Sequence, residues 1–263
     1  MDLGLKDRVA IVAASSQGLG KAVALGLARE GAKLAMCART ETTLEEAADE
    51  IRRETGTDIL TRALDVTVHE DVRHFVADTV AHFGRLDICV ANAGGPPTKP
   101  FRETTIEDWV AASDLNLLST VYFAKEALPF MQERRWGRFL AITSVSVKQP
   151  IEGLVLSNSV RAGVSGLIKT LANEYGPYNI LVNSVCPGYT ATARLMTLGE
   201  KLAERQAVTP QEVEGRWAKQ APLQRIGQPE EFASVVVFLA SERASYVTGV
   251  ALQVDGGLVK GLY

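Results

Sequence analysis

The segment Ala14-Ser15-Ser16-Gln17-Gly18-Leu19-Gly20 follows a short apolar run, Arg8–Ala13, and leads into a stretch of helical period beginning Lys21-Ala22-Val23. Glycines after a strand let the backbone turn tightly and lie against a pyrophosphate. Free N–H groups and the positive dipole end of the following helix stabilise that charge. Two glycines in such a turn are weak evidence by themselves; their place after the first strand and before a long helix strengthens them. The second apolar run ends Met36-Cys37-Ala38-Arg39. A carboxylate at position 38 would accept hydrogen bonds from the ribose hydroxyls of an adenosine and repel a 2′-phosphate. Ala38 removes that repulsion, and Arg39 can pair with the phosphate through charge-assisted hydrogen bonds. This pattern favours NADP as cofactor, with NAD as the alternative; an ordinary surface cation is the plainer reading of Arg39.

These residues need a scaffold that delivers strand ends to one edge. Apolar runs at Arg8–Ala13, Lys33–Ala38, Asp58–Leu64, Leu86–Ala91, Arg138–Thr143, Ile180–Val185 and Val250–Val254 read as strands. They are continuously apolar rather than alternating, as in a sheet covered on both faces. Helical period appears between them near 18–30, 42–55, 69–83, 106–135, 154–175 and 229–240. This alternation predicts an α/β fold: a single-domain, doubly wound, Rossmann-like parallel sheet of about seven strands with helices on both faces, spanning 1–263. The stretch 189–222 has no clear strand. It is expected to overhang the carboxyl edge of the sheet as a substrate lid, or to form a peripheral helical pair.

The chain has 263 residues, is 46% hydrophobic and carries a net charge of −3 with both signs interspersed, so no nucleic-acid footprint is expected. Cys37, Cys89 and Cys186 are widely spaced and read as buried, reduced thiols rather than metal or redox groups. His69, His74 and His82 lack ligand spacing and read as surface residues; no metal site is expected. No apolar run approaches a membrane span, and the N-terminus lacks a signal-peptide pattern, so a cytoplasmic location is expected.

In order and spacing, further segments make the chain similar to the short-chain dehydrogenase/reductase family along its full length, above all to bacterial 3-oxoacyl-acyl-carrier-protein reductases. The resemblance is carried by the glycine turn, Asp65-Val66, Asn92-Ala93-Gly94, Asn116 in Asp114-Leu115-Asn116-Leu117, Ser144 in Ile142-Thr143-Ser144, and Pro187-Gly188-Tyr189-Thr190-Ala191-Thr192. Arg225–Glu231, Tyr246–Gly249 and Asp255–Gly257 complete it. It implies a cofactor site formed by Ala14, Ser16, Gln17, Gly18, Leu19, Gly20, Arg39, Asp65, Val66, Asn92, Ala93, Gly94, Pro187, Gly188, Thr190 and Thr192. Within it, Asp65 would contact the adenine amino group and Thr192 the nicotinamide carboxamide. It further implies a substrate oxygen held by Ser144, a relay water held by Asn116, and a homo-oligomer, dimer or tetramer. Ala14 stands where the family has the first glycine of its turn.

The larger departure lies at the catalytic helix. The family places a Tyr thirteen residues after this Ser and a Lys four further on; here those positions are Ser157 and Arg161. The segment Val164 through Glu174 fixes the alignment from the other side, and no Tyr lies between Tyr122 and Tyr175. A phenol near a lysine cation is acidic enough to give up a proton near neutral pH; a serine hydroxyl is far weaker and shorter. Arg161 can hold the nicotinamide ribose, but an ordinary guanidinium does not relay protons. Lys148, four residues after Ser144, or an ordered water is the candidate substitute donor, although a solvated loop lysine is the preferred reading of Lys148.

Two function classes follow. One is an NADP-dependent oxidoreductase acting on a small-molecule carbonyl/alcohol substrate or an acyl thioester with an atypical proton donor, its catalytic set being Ser144, Ser157, Arg161 and Asn116. The other is a catalytically impaired nucleotide-binding or scaffold homologue; a lyase or isomerase step on the same platform is a third possibility. Val145, Val147, Pro150, Ile151, Leu154 and Tyr189 are expected to line an apolar substrate pocket with no fixed cation.

Overall fold

The computed structural model describes residues 1–262; Tyr263, the last residue of the expected domain, lies outside the described residues. Seven strands, β1 (Val9–Val12), β2 (Lys33–Ala38), β3 (Ile59–Ala63), β4 (Ile88–Ala91), β5 (Gly137–Ile142), β6 (Ile180–Pro187) and β7 (Ala251–Val254), form one parallel sheet in the order β3-β2-β1-β4-β5-β6-β7. This is the Rossmann-like arrangement expected. Between them run α1 (Gly18–Arg29), α2 (Glu41–Thr55), α3 (His69–Phe83), α4 (Ile106–Ser113), α5 (Ser119–Arg134), α6 (Val155–Tyr175), α7 (Ala193–Gln206), α8 (Pro210–Gln220) and α9 (Pro229–Ala240).

The strands lack an alternating pattern because both faces are buried. Ala10, Val12, Leu34, Met36 and Leu140 point to one side, where Val23 and Leu27 of α1, Ile51 of α2 and Phe232 and Val236 of α9 pack. Their neighbours Val9, Ile11, Ala35, Cys37 and Phe139 point to the other, against Phe75 of α3, Phe123 of α5 and Ile168 of α6. Side chains alternate along each strand, so two cores are fed by one apolar run.

The chain order reverses between β1 and β4, which pair in register Ala10 with Ile88. At that switch point the crossovers leave on opposite faces and open a crevice at the carboxyl ends of the strands. The glycine turn follows β1 there, and Asn92-Ala93-Gly94 follows β4.

The expected helix over 106–135 is interrupted. Between α4 and α5 the backbone widens into a π-helical turn over Asp114–Leu118, a distortion that re-aims one side chain. The stretch 189–222 forms α7 and α8. Thr192 caps α7 by accepting from the Leu195 N–H at 3.3 Å, and Thr209 and Glu212 form a capping box on α8. The pair has its own small core of Ala203, Val213 and Trp217, with Tyr189 stacked on Trp217 at a centroid separation of 5.2 Å.

Candidate active site

A cleft of about 740 Å³ runs along the carboxyl ends of the strands. Every coenzyme-site residue expected from the sequence lines it, as do Ser144, Ser157 and Arg161. Asn116 does not: it is buried behind the wall, its Nδ2 donating to the Gly94 carbonyl at 2.7 Å. Its Oδ1 is buried without a partner among the described residues.

The glycine turn is built by close approach. Gly18 has φ +58°. A Cβ on Gly20 would stand 2.9 Å from the Ala14 carbonyl carbon and 3.0 Å from Asn92 Nδ2, so only glycine fits. Asn92 Nδ2 donates to the carbonyls of Ala13 and Ala14, at 3.2 and 3.3 Å, tying the β4 end to the turn. Ala14 itself sits at φ +47°. That is the left-handed region glycine favours, so this alanine carries local strain. The N-cap of α1, Gln17, makes no side-chain capping bond, which leaves the first N–H groups of the helix pointing into the cleft.

Arg39 is exposed and makes no ion pair among the described residues. Asp65 is turned in on its own loop, its Oδ1 accepting from Thr67 N and Oγ1 at 2.9 and 2.8 Å. On the opposite wall, the Thr192 side chain lies 3.5 Å from where a Cβ on Gly18 would project. These features fit a dinucleotide: a cradle a Cβ would fill, a free helix end and an unpaired guanidinium beside it.

At the other end, Ser157 is buried with its Oγ 3.3 Å from Ser146 Oγ, and Ser144 Oγ accepts from Ser146 N at 3.1 Å. Arg161, one turn along α6, is buried and donates from Nη1 to the Ile142 carbonyl at 3.0 Å and from Nη2 to the Gly94 carbonyl at 3.3 Å. Burial, together with the charge of Arg194, pushes its guanidinium down to about 10. It remains a cation at neutral pH.

Several expectations fail here. Lys148 does not line the cleft, nor do Val147 and Pro150, although Val145, Ile151, Leu154 and Tyr189 do. Tyr189, a phenol in the wall, is pushed above its ordinary pKa by burial, away from service as an acid near pH 7. The expected lack of a fixed cation is also wrong, because Arg194 at the start of α7 projects into the cleft. Sequence reading missed it because its position becomes meaningful only once α7 folds over the strand ends. Cys37, Cys89 and Cys186 are buried and unpaired, and the three histidines are exposed on α3.

Comparison with known proteins matches the arrangement. Residues 13–259 match the family model described as enoyl-(acyl carrier protein) reductase. The chain belongs to the short-chain dehydrogenase/reductase family. This short-chain dehydrogenase/reductase is 32% identical to the 3-oxoacyl-(acyl-carrier-protein) reductase FabG of Aquifex aeolicus, over 98% of this chain and 100% of that one. It is 31% identical to the acetoacetyl-CoA reductase of Shinella zoogloeoides, over 95% and 98%. L-Sorbose reductase of Gluconobacter frateurii, solved with NADPH and L-sorbose, superposes with a TM-score of 0.95 at 34% identity, covering 100% of both chains. No helix among the described residues is long and apolar enough to cross a membrane.

Proposed function

We propose that this short-chain dehydrogenase/reductase is an NADP-dependent oxidoreductase interconverting a carbonyl and its alcohol without the usual Tyr/Lys pair. The observation that carries the reading is one continuous cleft lined by the glycine turn, Arg39, Asn92–Gly94, Ser144, Ser157, Arg161, Pro187–Thr190 and Thr192. NADPH-complexed relatives such as L-sorbose reductase support the choice of coenzyme. When bound, the coenzyme supplies or accepts the hydride.

The residues of this chain would do the rest. Gly18, Leu19, Gly20 and the free end of α1 would receive the pyrophosphate, and Arg39 a 2′-phosphate through charge-assisted hydrogen bonds. Asp65 and Val66 would bound the adenine, and Thr192, Pro187, Gly188 and Thr190 the nicotinamide. Arg161 would hold the nicotinamide ribose. Ser144 and Ser157 would donate hydrogen bonds to the substrate oxygen and orient it. The proton that completes the alcohol would come from cleft water, since Lys148 stands outside the cleft and the buried Tyr189 phenol is raised. Asn116 Oδ1, which has no partner among the described residues, would hold a water at the rear of the site. Helices α7 and α8 would act as a lid whose underside, with Leu195 and Leu198, closes on the substrate.

Loss of a positioned acid costs about 10²–10⁴ in rate, so slow turnover is expected. Fluorescence titration with NADPH, followed by NADPH consumption over a panel of ketones, oxo acids and acyl thioesters, tests the proposal. Saturable binding with slow, carbonyl-dependent oxidation supports it; binding with no turnover of any carbonyl would leave the scaffold reading in its place. A homo-oligomer, dimer or tetramer in the cytoplasm, is proposed with it and is tested by light scattering and cell fractionation.

A further inference from the structure

The charges lining the cleft are unevenly distributed. Among the described residues its only acidic one is Asp65, at the end where Arg39 also lies. Around Gly94, beside Ser144 and Ser157, stand two guanidiniums and no carboxylate. Arg161 reaches the Gly94 carbonyl from α6. Arg194 reaches the same peptide from α7, its Nη1 3.8 Å from where a Cβ on Gly94 would be.

Neither forms a salt bridge among the described residues. Arg161 spends its hydrogen bonds on two backbone carbonyls, and Arg194 makes one, from Nη2 to the Pro96 carbonyl at 3.3 Å. A guanidinium has five N–H donors in a planar fork suited to a carboxylate; most of those on Arg194 are unused. Two like charges facing one another, one of them buried, are costly without an anion to offset them.

Arg194 also has a prepared seat. A Cβ on Gly95 would run into its guanidinium, 2.9 Å from Cζ. Gly95 is not in the left-handed region, so its turn does not call for glycine. What the missing side chain provides is room for Arg194.

We propose that Arg194, with Arg161 behind it, forms an anion seat in the substrate half of the cleft, and that the carbonyl compound handled here carries a carboxylate: an oxo acid and its hydroxy acid. This rests on the oxidoreductase reading and names its substrate class. The coenzyme has other sites for its negative groups, the glycine turn for the pyrophosphate and Arg39 for a 2′-phosphate, and Arg161 would serve its ribose. Arg194 is the guanidinium left for the substrate, with the charge of Arg161 behind it. Val145, Ile151, Leu154 and Leu198 would then cover the apolar remainder of the molecule.

The test uses the whole protein saturated with NADP⁺ and titrated calorimetrically with matched pairs: acetoacetate, 4-oxopentanoate and 2-oxo-4-phenylbutanoate, each against its methyl ester. At least one acid should bind at least tenfold more tightly than its ester. In Arg194→Met that preference should fall to within twofold, while NADPH affinity stays within threefold of wild type. Gly95→Ala, which displaces the guanidinium without removing charge, should also erase it; Arg194→Lys should keep part. No preference for any acid in the wild type, or a preference that survives Arg194→Met, overturns the inference. So does a tenfold loss of NADPH affinity in Arg194→Met, which would assign the residue to a coenzyme phosphate. Failure of the wild type to take up NADPH is a distinct result, which overturns the oxidoreductase reading and this inference with it.

Discussion

The hydroxyls of Ser157 and Ser146 lie 3.3 Å apart, one on α6 and the other in the loop after β5. Each can donate to the other, so the Ser157 hydroxyl is held by a neutral partner. Neither hydroxyl hydrogen-bonds a charged side chain among the described residues. On the proposed reading that Ser157 and Arg161 stand in place of a Tyr/Lys pair, introducing that pair should accelerate turnover. Ser157→Tyr with Arg161→Lys is expected to raise kcat for a reduced carbonyl by about 10² or more, and Ser157→Tyr alone by less. Initial rates of NADPH consumption decide it, and unchanged rates in the double variant would show that proton supply does not limit the reaction.

The glycine turn makes two opposite predictions. Ala14, at φ +47°, pays roughly 1–2 kcal/mol for a left-handed backbone, part of which glycine gives back through its freer unfolded chain. Ala14→Gly should raise stability by roughly 0.5–1 kcal/mol, or about 2 °C in melting temperature for a chain of this size. Gly20→Ala should do the reverse, because its Cβ meets the backbone of Ala14, which cannot swing aside. It is expected to lower the melting temperature and weaken NADPH binding at least tenfold. Thermal melts and fluorescence titration measure both.

Arg39 is exposed, free of ion pairs among the described residues, and lines the end of the cleft where Asp65 lies, proposed above to take the adenosine. Hydrogen bonds to a charged group are worth about 1.5–3 kcal/mol, which corresponds to roughly ten- to a hundredfold in affinity. Arg39→Ala should weaken NADPH by that factor and leave NADH within about twofold. Equal losses for the two coenzymes would mean that Arg39 does not read the 2′-phosphate.

Glu231 joins the segment before α9 to the helix itself. Its carboxylate accepts from both Arg225 Nη atoms, at 2.7 and 2.6 Å, and from Gln228 N at 2.8 Å. The hydrogen bond from Arg225, then that from Gln228, holds its pKa down to about 2, against an ordinary 4.5. Protons thus bind the unfolded chain more readily than the folded one between those values. The stability Glu231 contributes is complete above about 4.5 and drains away as pH falls toward 2. Glu231→Gln should lose that increment at neutral pH and show a flatter loss of melting temperature between pH 5 and 2.5. A parallel pH profile in the two proteins would refute the assignment.

The parts of the site that belong to short continuous segments were legible in the sequence. The turn after β1 was read from its glycines and its place before a helix, and Asn92–Gly94 and Pro187–Thr192 from the resemblance to a family; each is a short segment at the carboxyl end of a strand, and residues of all three line the cleft. Ser144, Ser157 and Arg161 were located by spacing along two neighbouring elements. The π-helical turn at Asp114–Leu118 was not visible, because the helical period of 106–135 continues on both sides, and its hydrogen bond from Asn116 to the Gly94 carbonyl joins segments distant in sequence. Helices α7 and α8 were foreseen only as one of two readings of 189–222, a helical pair without bounds, because their apolar faces pack against one another and Tyr189 in a core too small to impose a long periodic stripe.

By itself, the order of residues determined the alternation of strands and helices, the glycine that Gly20 must be, and the absence of a phenol at position 157, since each follows from local sterics or from chemistry one side chain carries. Only the tertiary structure decided that Arg194 and Arg161, thirty-three positions apart, flank one peptide at Gly94, that Lys148 stands outside the cleft, and that Ser157 turns to Ser146. Coulombic and hydrogen-bonding energies depend on distances through space, and those distances exist only after the sheet has brought the ends of β4, β5 and β6 to a common edge.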